Sequence, residues 1–197
     1  MTLTDVHEAD RWLQEQQPQG NGRLLLGIDP GVSGALAMLC AAEGRSLAAT
    51  PYGVLDMPVM RTGKGKSQRK EPDWHALFFL LSCLVREEAR LGELHVIWEC
   101  NQPFAADGKY GWRLNGLSTG YFRGWFLALG LPTTEIIASD WKPEFKLIGK
   151  TKDASRKEAL RVWADAPCLR ESDHNRAEAL LISAYLWRTL HNQLRKT

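Results

Sequence analysis

The sequence predicts an α/β fold built on one mixed five-stranded sheet, an antiparallel three-strand meander plus two parallel strands, flanked by helices. Three observations carry this expectation. Residues 24–28 (LLLGI) form a short, wholly apolar run of the kind that fills a central buried strand. The order of segments is three strands, helix, strand, helix, strand, then helices, so a meander feeds two crossover units. Trp74, Leu77, Phe78, Leu81, Leu84 and Val85 fall on one stripe, which marks an amphipathic helix over residues 73–90.

Taken in order, Pro30-Gly31 turns the chain after the first strand. Residues 35–42 resume as a second strand, and residues 45–56 contain a third. Residues 62–70, rich in Gly, Lys and Ser, are expected to be a mobile loop. Gly92 ends the first long helix, and residues 94–99 are the fourth strand. A polar, Gly-rich loop over 101–111 leads to a helix over 114–129. Its Gly116, Gly120 and Gly124 recur every four residues, a small-residue face expected to pack closely against a sheet or a partner helix. Residues 133–138 are the fifth strand. Ser139, Asp153 and Ser172 are the expected caps of three further helices, running to about residues 145, 164 and 191. There is no internal repeat. Residues 23–192 read as one domain, and residues 1–22 as a polar N-terminal extension.

Composition narrows the class. At 197 residues the chain can bury a real core, and 44% hydrophobic with 24% charged residues is the balance of an ordinary soluble globule. No run approaches 18 apolar residues, so no membrane span is expected. The four cysteines, at 40, 83, 100 and 168, form no CxxC pair; they read as reduced thiols, and a zinc site is not indicated. A net charge of +2 is too small to argue for nucleic acid, but its distribution says more. Residues 61–70 (RTGKGKSQRK) hold five basic residues and no acid, and residues 142–157 hold six against two. Such blocks can neutralise phosphates, or they can be solvated surface. No cleavable signal or Arg-rich presequence is visible at the N-terminus.

Four acids are placed unusually. Asp29 closes the first strand, Glu99 closes the fourth, and Asp173 and Glu178 open the last helix. A carboxylate on an apolar element is costly to desolvate without a cation. Two strand ends and a helix start, each with an inward acid, suggest a divalent metal site suited to in-line phosphoryl chemistry. Asp29 also sits in an Asp-Pro-Gly turn, which explains it without function, but the small residues Gly31, Ser33, Gly34 and Ala35 that follow would admit a bulky polyanion. If the first and fourth strands pair in parallel, Asp29 and Glu99 share the end of the sheet where ligands sit. Asp173 and Glu178, five residues or about 500° apart on a helix, share a face only if Asp173 or Ser172 is the N-cap. His174 lies four before Glu178 on its face and competes with Asp173 as fourth ligand or proton-transfer group. Ala177, Ala179 and Ala184 keep this helix slim.

These residues resemble a known family. The segments GIDPGxSGA (27–35), the strand-terminal Glu99, and DHxxAEALL (173–181) are similar to those of RuvC-type Holliday junction resolvases. The 102–112 loop, the WKxxFKL stretch (141–147) and the form of the last motif resemble the chloroplast (monokaryotic chloroplast) branch of plants and algae. The resemblance covers roughly residues 24–187. It implies an RNase H-like fold, a homodimer, four-way junction DNA as the partner, and paired nicking dependent on Mg²⁺, two ions per site, with Mn²⁺ as the substitute. It further implies a CC step at the cut and a chloroplast location, stroma or nucleoid; without the branch assignment the location would be cytoplasmic. Carried over, Asp29, Glu99, Asp173 and Glu178 are the metal-binding acids. Lys142 is the first candidate for phosphate or transition-state charge, and Lys146, Lys150 and Lys152 are further phosphate contacts. Phe104 would stack at the open junction centre, and the stretch around Lys109 and Arg113 would touch DNA near the cut. The chain departs from bacterial members in two places: Cys100 stands where Gln usually follows the strand-terminal Glu, and Asn175 stands three before Glu178, where an acid or His is common.

Two other classes are compatible with parts of the pattern. An actin- or sugar-kinase-like phosphotransferase also uses an acid and glycines after its first strand, but needs a second phosphate loop and a second large domain. A non-catalytic junction-binding protein would be expected to have lost the acids.

Overall fold

The computed structural model describes residues 1–16, 22–65, 68–100 and 108–194, with side chains to residue 191. Among them are eight strands and six α-helices: β1 (Thr2–Leu3), α1 (Val6–Glu15), β2 (Arg23–Asp29), β3 (Ala35–Ala41), β4 (Tyr52–Asp56), β5 (Val59–Thr62), β6 (Arg69–Pro72), α2 (Trp74–Leu91), β7 (Glu93–Glu99), α3 (Gly108–Leu129), β8 (Thr133–Ile136), α4 (Ala138–Trp141), α5 (Lys152–Val162) and α6 (His174–Leu194). No helix among the described residues is long and apolar enough to cross a membrane.

The main sheet has the order β1-β4-β3-β2-β7-β8. β2, β3 and β4 form the antiparallel meander, and β7 and β8 add in parallel. These five strands are the mixed arrangement expected from the sequence, a three-strand meander plus two parallel strands. The sixth is an addition: Thr2 and Leu3 pair in parallel with Val54 and Leu55. α1 then lays Val6, Ala9, Trp12 and Leu13 into the core. Residues 2–15, which read from the sequence as polar extension, therefore carry structure. Their apolar positions are spaced 6, 9, 12 and 13, an amphipathic helix capped by Asp5, whose carboxylate accepts from the N–H of His7 and Glu8 at 2.9 Å each.

Strand alternation divides the core into two layers. Leu24, Leu26 and Ile28 of β2, with Leu94, Val96 and Trp98 of β7, face α1, α2 and α3. Leu25 and Ile97 face the opposite side, where α6 packs with Trp141, Phe145 and Trp163. Asp29 and Glu99 fall on this second face by the same period of two.

α6 lies against the sheet because small residues let it. A Cβ at Gly27 would stand 2.7 Å from both the Ala179 carbonyl oxygen and the Ser183 nitrogen, and closer still to Ser183 Oγ. On β3, Ala35 and Ala37 are fully buried beneath the same helix, as are Ala177, Ala179 and Ala184 on α6 itself. Ser183 is fully buried and its hydroxyl donates to the Ala37 carbonyl at 2.9 Å, pinning helix to sheet.

Three other local expectations differ. The basic segment is the end of a two-stranded hairpin, β5 paired with β6, rather than a loop throughout. α3 begins at Gly108, six residues before the expected start. Gly116, Gly120 and Gly124 lie on its exposed face, and among the described residues a Cβ at any of them would meet nothing within 4 Å, so of the two expected packing partners the chain's own sheet does not use that face.

The Gly27 contact is testable. Gly27→Ala must push backbone against backbone, and overpacking of this kind costs about 1–3 kcal/mol. The expected outcome in thermal unfolding followed by circular dichroism is a fall in Tm of several degrees, at about 2–4 °C per kcal/mol for a chain of this size.

Candidate metal centre

Asp29 is the last residue of β2, and Glu99 is the last of the adjacent parallel strand β7, whose register pairs Ile28 with Trp98. Both carboxylates therefore emerge at the same end of the sheet and on the α6 face. Glu178 comes from the second turn of α6, one residue before the Ala179 carbonyl that sits over Gly27. One carboxylate oxygen from each of Asp29, Glu99 and Glu178 lies within 4.8 Å of the other two. Asp29 and Glu99 are buried, at 9% and 7% exposure, and Glu178 is half-buried.

The charge balance of this cluster is negative. Lys142 Nζ stands 3.5 Å from Glu178 Oε1, the one ion pair the cluster makes among the described residues. Burial, then repulsion from Glu178 and Glu99, drives the Asp29 carboxyl well above the usual carboxylate range, against the pull of Lys142 and Lys152. Burial also raises Glu99, opposed by the Trp141 hydrogen bond and by Lys142. Three converging acids with one ammonium are a poor structural device and a good cation site. All donors are hard carboxylate oxygens with no thiolate, which fits Mg²⁺ or Mn²⁺ and not a soft metal.

Other side chains hold the acids in place. The buried Trp141 indole N–H donates to Glu99 Oε2 at 3.0 Å. The Ser155 hydroxyl donates to Glu178 Oε1 at 2.9 Å. Asn175, one turn before Glu178, donates through Nδ2 to the Ser33 carbonyl and so ties α6 to the turn that follows Asp29. That turn is tight: Gly34 N–H bonds the Gly31 carbonyl at 3.0 Å, with Gly31 at φ 122°. Trp141 stood in the sequence as part of a family-like stretch without a role. Its signal was its position, five residues past the end of β8 and next to Lys142. Nothing in the sequence singled out Ser155.

Asp173 is not in the cluster. It is buried, but its Oδ2 accepts from the Arg170 backbone N–H at 3.0 Å and its Oδ1 from the Arg170 guanidinium at 3.0 Å, with Arg176 Nη1 at 3.8 Å. Burial works to raise its pKa, yet these hydrogen bonds and charges together hold it below the usual value. The residue serves the entry into α6, through the 3₁₀ turn Glu171–Asp173, in place of Ser172 as cap. The four expected acids thus resolve into three that converge and one that does not. His174 is not a ligand in this arrangement either: its Nδ1 lies 3.1 Å from the Glu171 carbonyl and its Nε2 3.3 Å from Lys152 Nζ.

The basic candidates are spread around the rim. Lys142 is half-buried at the cluster; Lys146, Lys150 and Lys152 are exposed on the segment from the 3₁₀ turn Lys142–Phe145 to the start of α5. Lys109 and Arg113 are exposed on the first turns of α3, with Arg113 Nη1 3.2 Å from Glu71. Phe104 lies outside the described residues.

Comparison with known proteins gives a fold likeness only. The chain is similar to the structure of RuvC from Thermus thermophilus, with a TM-score of 0.47 and 18% identity over 84% of this chain and 96% of that one. It is similar also to T. thermophilus RuvC in complex with Holliday junction substrate, with a TM-score of 0.46 and 14% identity over the same shares. No family model matches the chain. No curated protein matches it by sequence.

Two measurements check the centre. The folded Asp29 and Glu99 carboxyls titrate above their unfolded values, so their contribution to stability is best below about pH 4 and is lost as pH rises from there through the raised folded values. Asp29→Asn removes that penalty. In chelator its Tm should exceed wild type at pH 7–8 by about 2–4 °C per kcal/mol recovered, and the gap should close toward pH 4. Mg²⁺ or Mn²⁺ should raise the wild-type Tm more at pH 8 than at pH 5, and should leave Asp29→Asn unmoved. Trp141→Phe removes only the donor to Glu99; metal affinity by calorimetry should fall about 10- to 100-fold.

Proposed function

We propose that this protein is a divalent-metal-dependent endodeoxyribonuclease of the RuvC type, which resolves four-way junctions by paired nicking. The observation that carries this reading is the convergence of Asp29, Glu99 and Glu178 within 4.8 Å, buried and under-neutralised, at the C-terminal ends of two parallel strands. The motif resemblance over residues 27–35, 99 and 173–181 supports the junction as substrate.

Divalent ions bound at such a site supply Lewis acidity at a phosphodiester and a water of lowered pKa for in-line attack. The chain's own residues do the rest. Asp29, Glu99 and Glu178 would hold the cations through their carboxylate oxygens. Trp141 and Ser155 lock the rotamers of Glu99 and Glu178, so the donor set is organised before substrate arrives. Lys142, already beside Glu178, sets a positive charge where the scissile phosphate approaches. The basic segment bearing Lys146, Lys150 and Lys152 guides the flanking backbone. No Ser or Cys nucleophile is required. Asp173 drops from the ligand set, its carboxylate being spent on Arg170.

Mg²⁺ as the working ion, two per site, belongs to this proposal, as do the preference for a CC step and the chloroplast as location. So does the homodimer that paired nicking needs. For it the exposed face of α3, bearing Gly116, Gly120, Gly124 and a Leu127 that is 85% exposed, is the surface we assign.

The test is incubation with an end-labelled mobile four-way junction and Mg²⁺, mapping nicks on every strand. Paired, metal-dependent nicks are the expected result, and their absence at all metal concentrations would end this reading. Asp29→Asn should abolish cleavage while junction binding in a gel shift persists. Cleavage at the wild-type rate by that variant would remove Asp29 from the chemistry.

A further inference from the structure

Lys152 is poorly placed for a structural lysine. It is the first residue of α5, just after the Thr151 N-cap, where the positive end of a helix disfavours an ammonium. It is exposed, and among the described residues it forms no ion pair. Its charge nonetheless reaches the acidic cluster: with Lys142 it pulls the Asp29 carboxyl down against the effect of burial. Lys142 is paired with Glu178. Lys152 instead meets a neutral group, the imidazole of His174, with Nζ 3.3 Å from Nε2.

That contact settles the state of the ring. An ammonium can only donate, so Nε2 turns its lone pair toward Lys152. Nδ1 lies 3.1 Å from the Glu171 carbonyl oxygen, which can only accept, so Nδ1 carries the hydrogen. Both partners demand the same neutral tautomer. The ring also stands on a firm base, since Glu171 belongs to the 3₁₀ turn that Asp173 closes through its bonds to Arg170. One turn further along both helices is a matching rung: Ser155 of α5 donates to Glu178 of α6 at 2.9 Å. Residues three and four apart share a helix face, so Lys152 and His174 lie on the faces that bring Ser155 and Glu178 together.

An acid in place of His174 would grip the ammonium harder and cancel its charge. A neutral acceptor directs the group and leaves its charge and its remaining hydrogens for a ligand. Without a partner, the flexible stem of a lysine spreads the ammonium over many rotamers, and charge stabilises a reacting group best from a fixed position. We propose that His174 is a positioning residue: its Nδ1–H tautomer aims the Lys152 ammonium at the phosphate that the acidic cluster engages, one helical turn from Glu178. This rests on the nuclease reading above and adds to it the residue that orients Lys152. It also gives Asp173 a purpose, since that residue builds the turn whose carbonyl holds the ring.

Two readouts test this in the full chain. The first needs neither metal nor DNA. In ¹⁵N-histidine-labelled protein in chelator at about pH 8, where imidazole is neutral, long-range correlation spectra should show His174 protonated at Nδ1 and bare at Nε2. Lys152→Met should move the Nε2 signal. A ring protonated at Nε2, or a signal indifferent to Lys152→Met, would overturn the proposal and leave the nuclease reading standing. The second readout is cleavage of a labelled four-way junction in Mg²⁺. His174→Phe, which keeps a ring and loses the acceptor, should lower kcat about tenfold or more with KM unchanged. His174→Gln, whose Oε1 can accept from the ammonium, should restore most of the rate. Lys152→Met combined with His174→Phe should be no slower than Lys152→Met alone, because the two residues act as one. His174→Phe at the wild-type rate, or losses that multiply in the double variant, would overturn the role. So would equal losses in His174→Phe and His174→Gln that follow a fall in Tm, which mark a folding defect. Wild type with the expected tautomer but no nicks would overturn the nuclease reading and the role of His174 in it, while the spectra still report the Lys152 contact and keep the two failures distinct.

Discussion

The contact of α6 with β2 at Gly27 governs the rest of the molecule. Helix backbone meets strand backbone there, with the small Ser183 side chain as the one neighbour besides the main chain that crowds Gly27. Glu178 precedes the contacting carbonyl by one residue, and Asp29 lies two residues beyond Gly27, so the distance between the two carboxylates is set by main chain and not by side-chain reach. The alanines of β3 and α6 extend the close approach along the sheet, and the Ser183 hydroxyl fixes its sliding register. A thicker interface would leave the same acids in the same order and no shared site.

That geometry is bought at an electrostatic cost. Three carboxylates converge where burial favours their neutral forms, and Lys142 offsets a fraction of the charge. The surroundings show the contrast: Asp173, of the same type and only five residues from Glu178, is satisfied by Arg170 and Arg176 and held easily ionised. Asp56 is likewise taken up, by Arg176 in two contacts of 2.6 Å. The chain has arginines to spare for neighbouring acids and withholds them from Asp29 and Glu99. Withholding a partner from a buried acid is a feature of binding sites more than of scaffolds.

Much of this was legible in the sequence. Asp29 and Glu99 could be paired because each ends an apolar strand, and parallel pairing leaves both on one face at one end. Glu178 could be added because small residues surround it on a helix. Asp173 could not be sorted correctly, because the deciding partner, Arg170, sits in an irregular turn whose conformation no periodicity announces. The strands of the hairpin were hidden for a related reason: a basic, Gly-containing stretch carries no apolar alternation, and its pairing is held by Tyr110 and Arg113 from a distant segment. In the first fifteen residues, polarity masks the helical period of Val6, Ala9, Trp12 and Leu13. The spacing of the α3 glycines says that something can approach that face but not whether the same chain supplies it.

The two borders of the main sheet are finished differently. At one, Thr2 and Leu3 cap β4, α1 closes over Gly53 with Trp12, and Arg90 reaches back to the Leu13 carbonyl at 2.5 Å. At the other, β8 is only four residues long and carries Glu135, which is engaged by Arg123. A short, charged margin resists recruitment by a stray strand without any cover. The β4 margin has hydrophobic Val54 and Leu55 and depends on its lid. Trimming the leading segment, or fusing a tag that competes for it, would therefore unzip one flank of the molecule and invite self-association there.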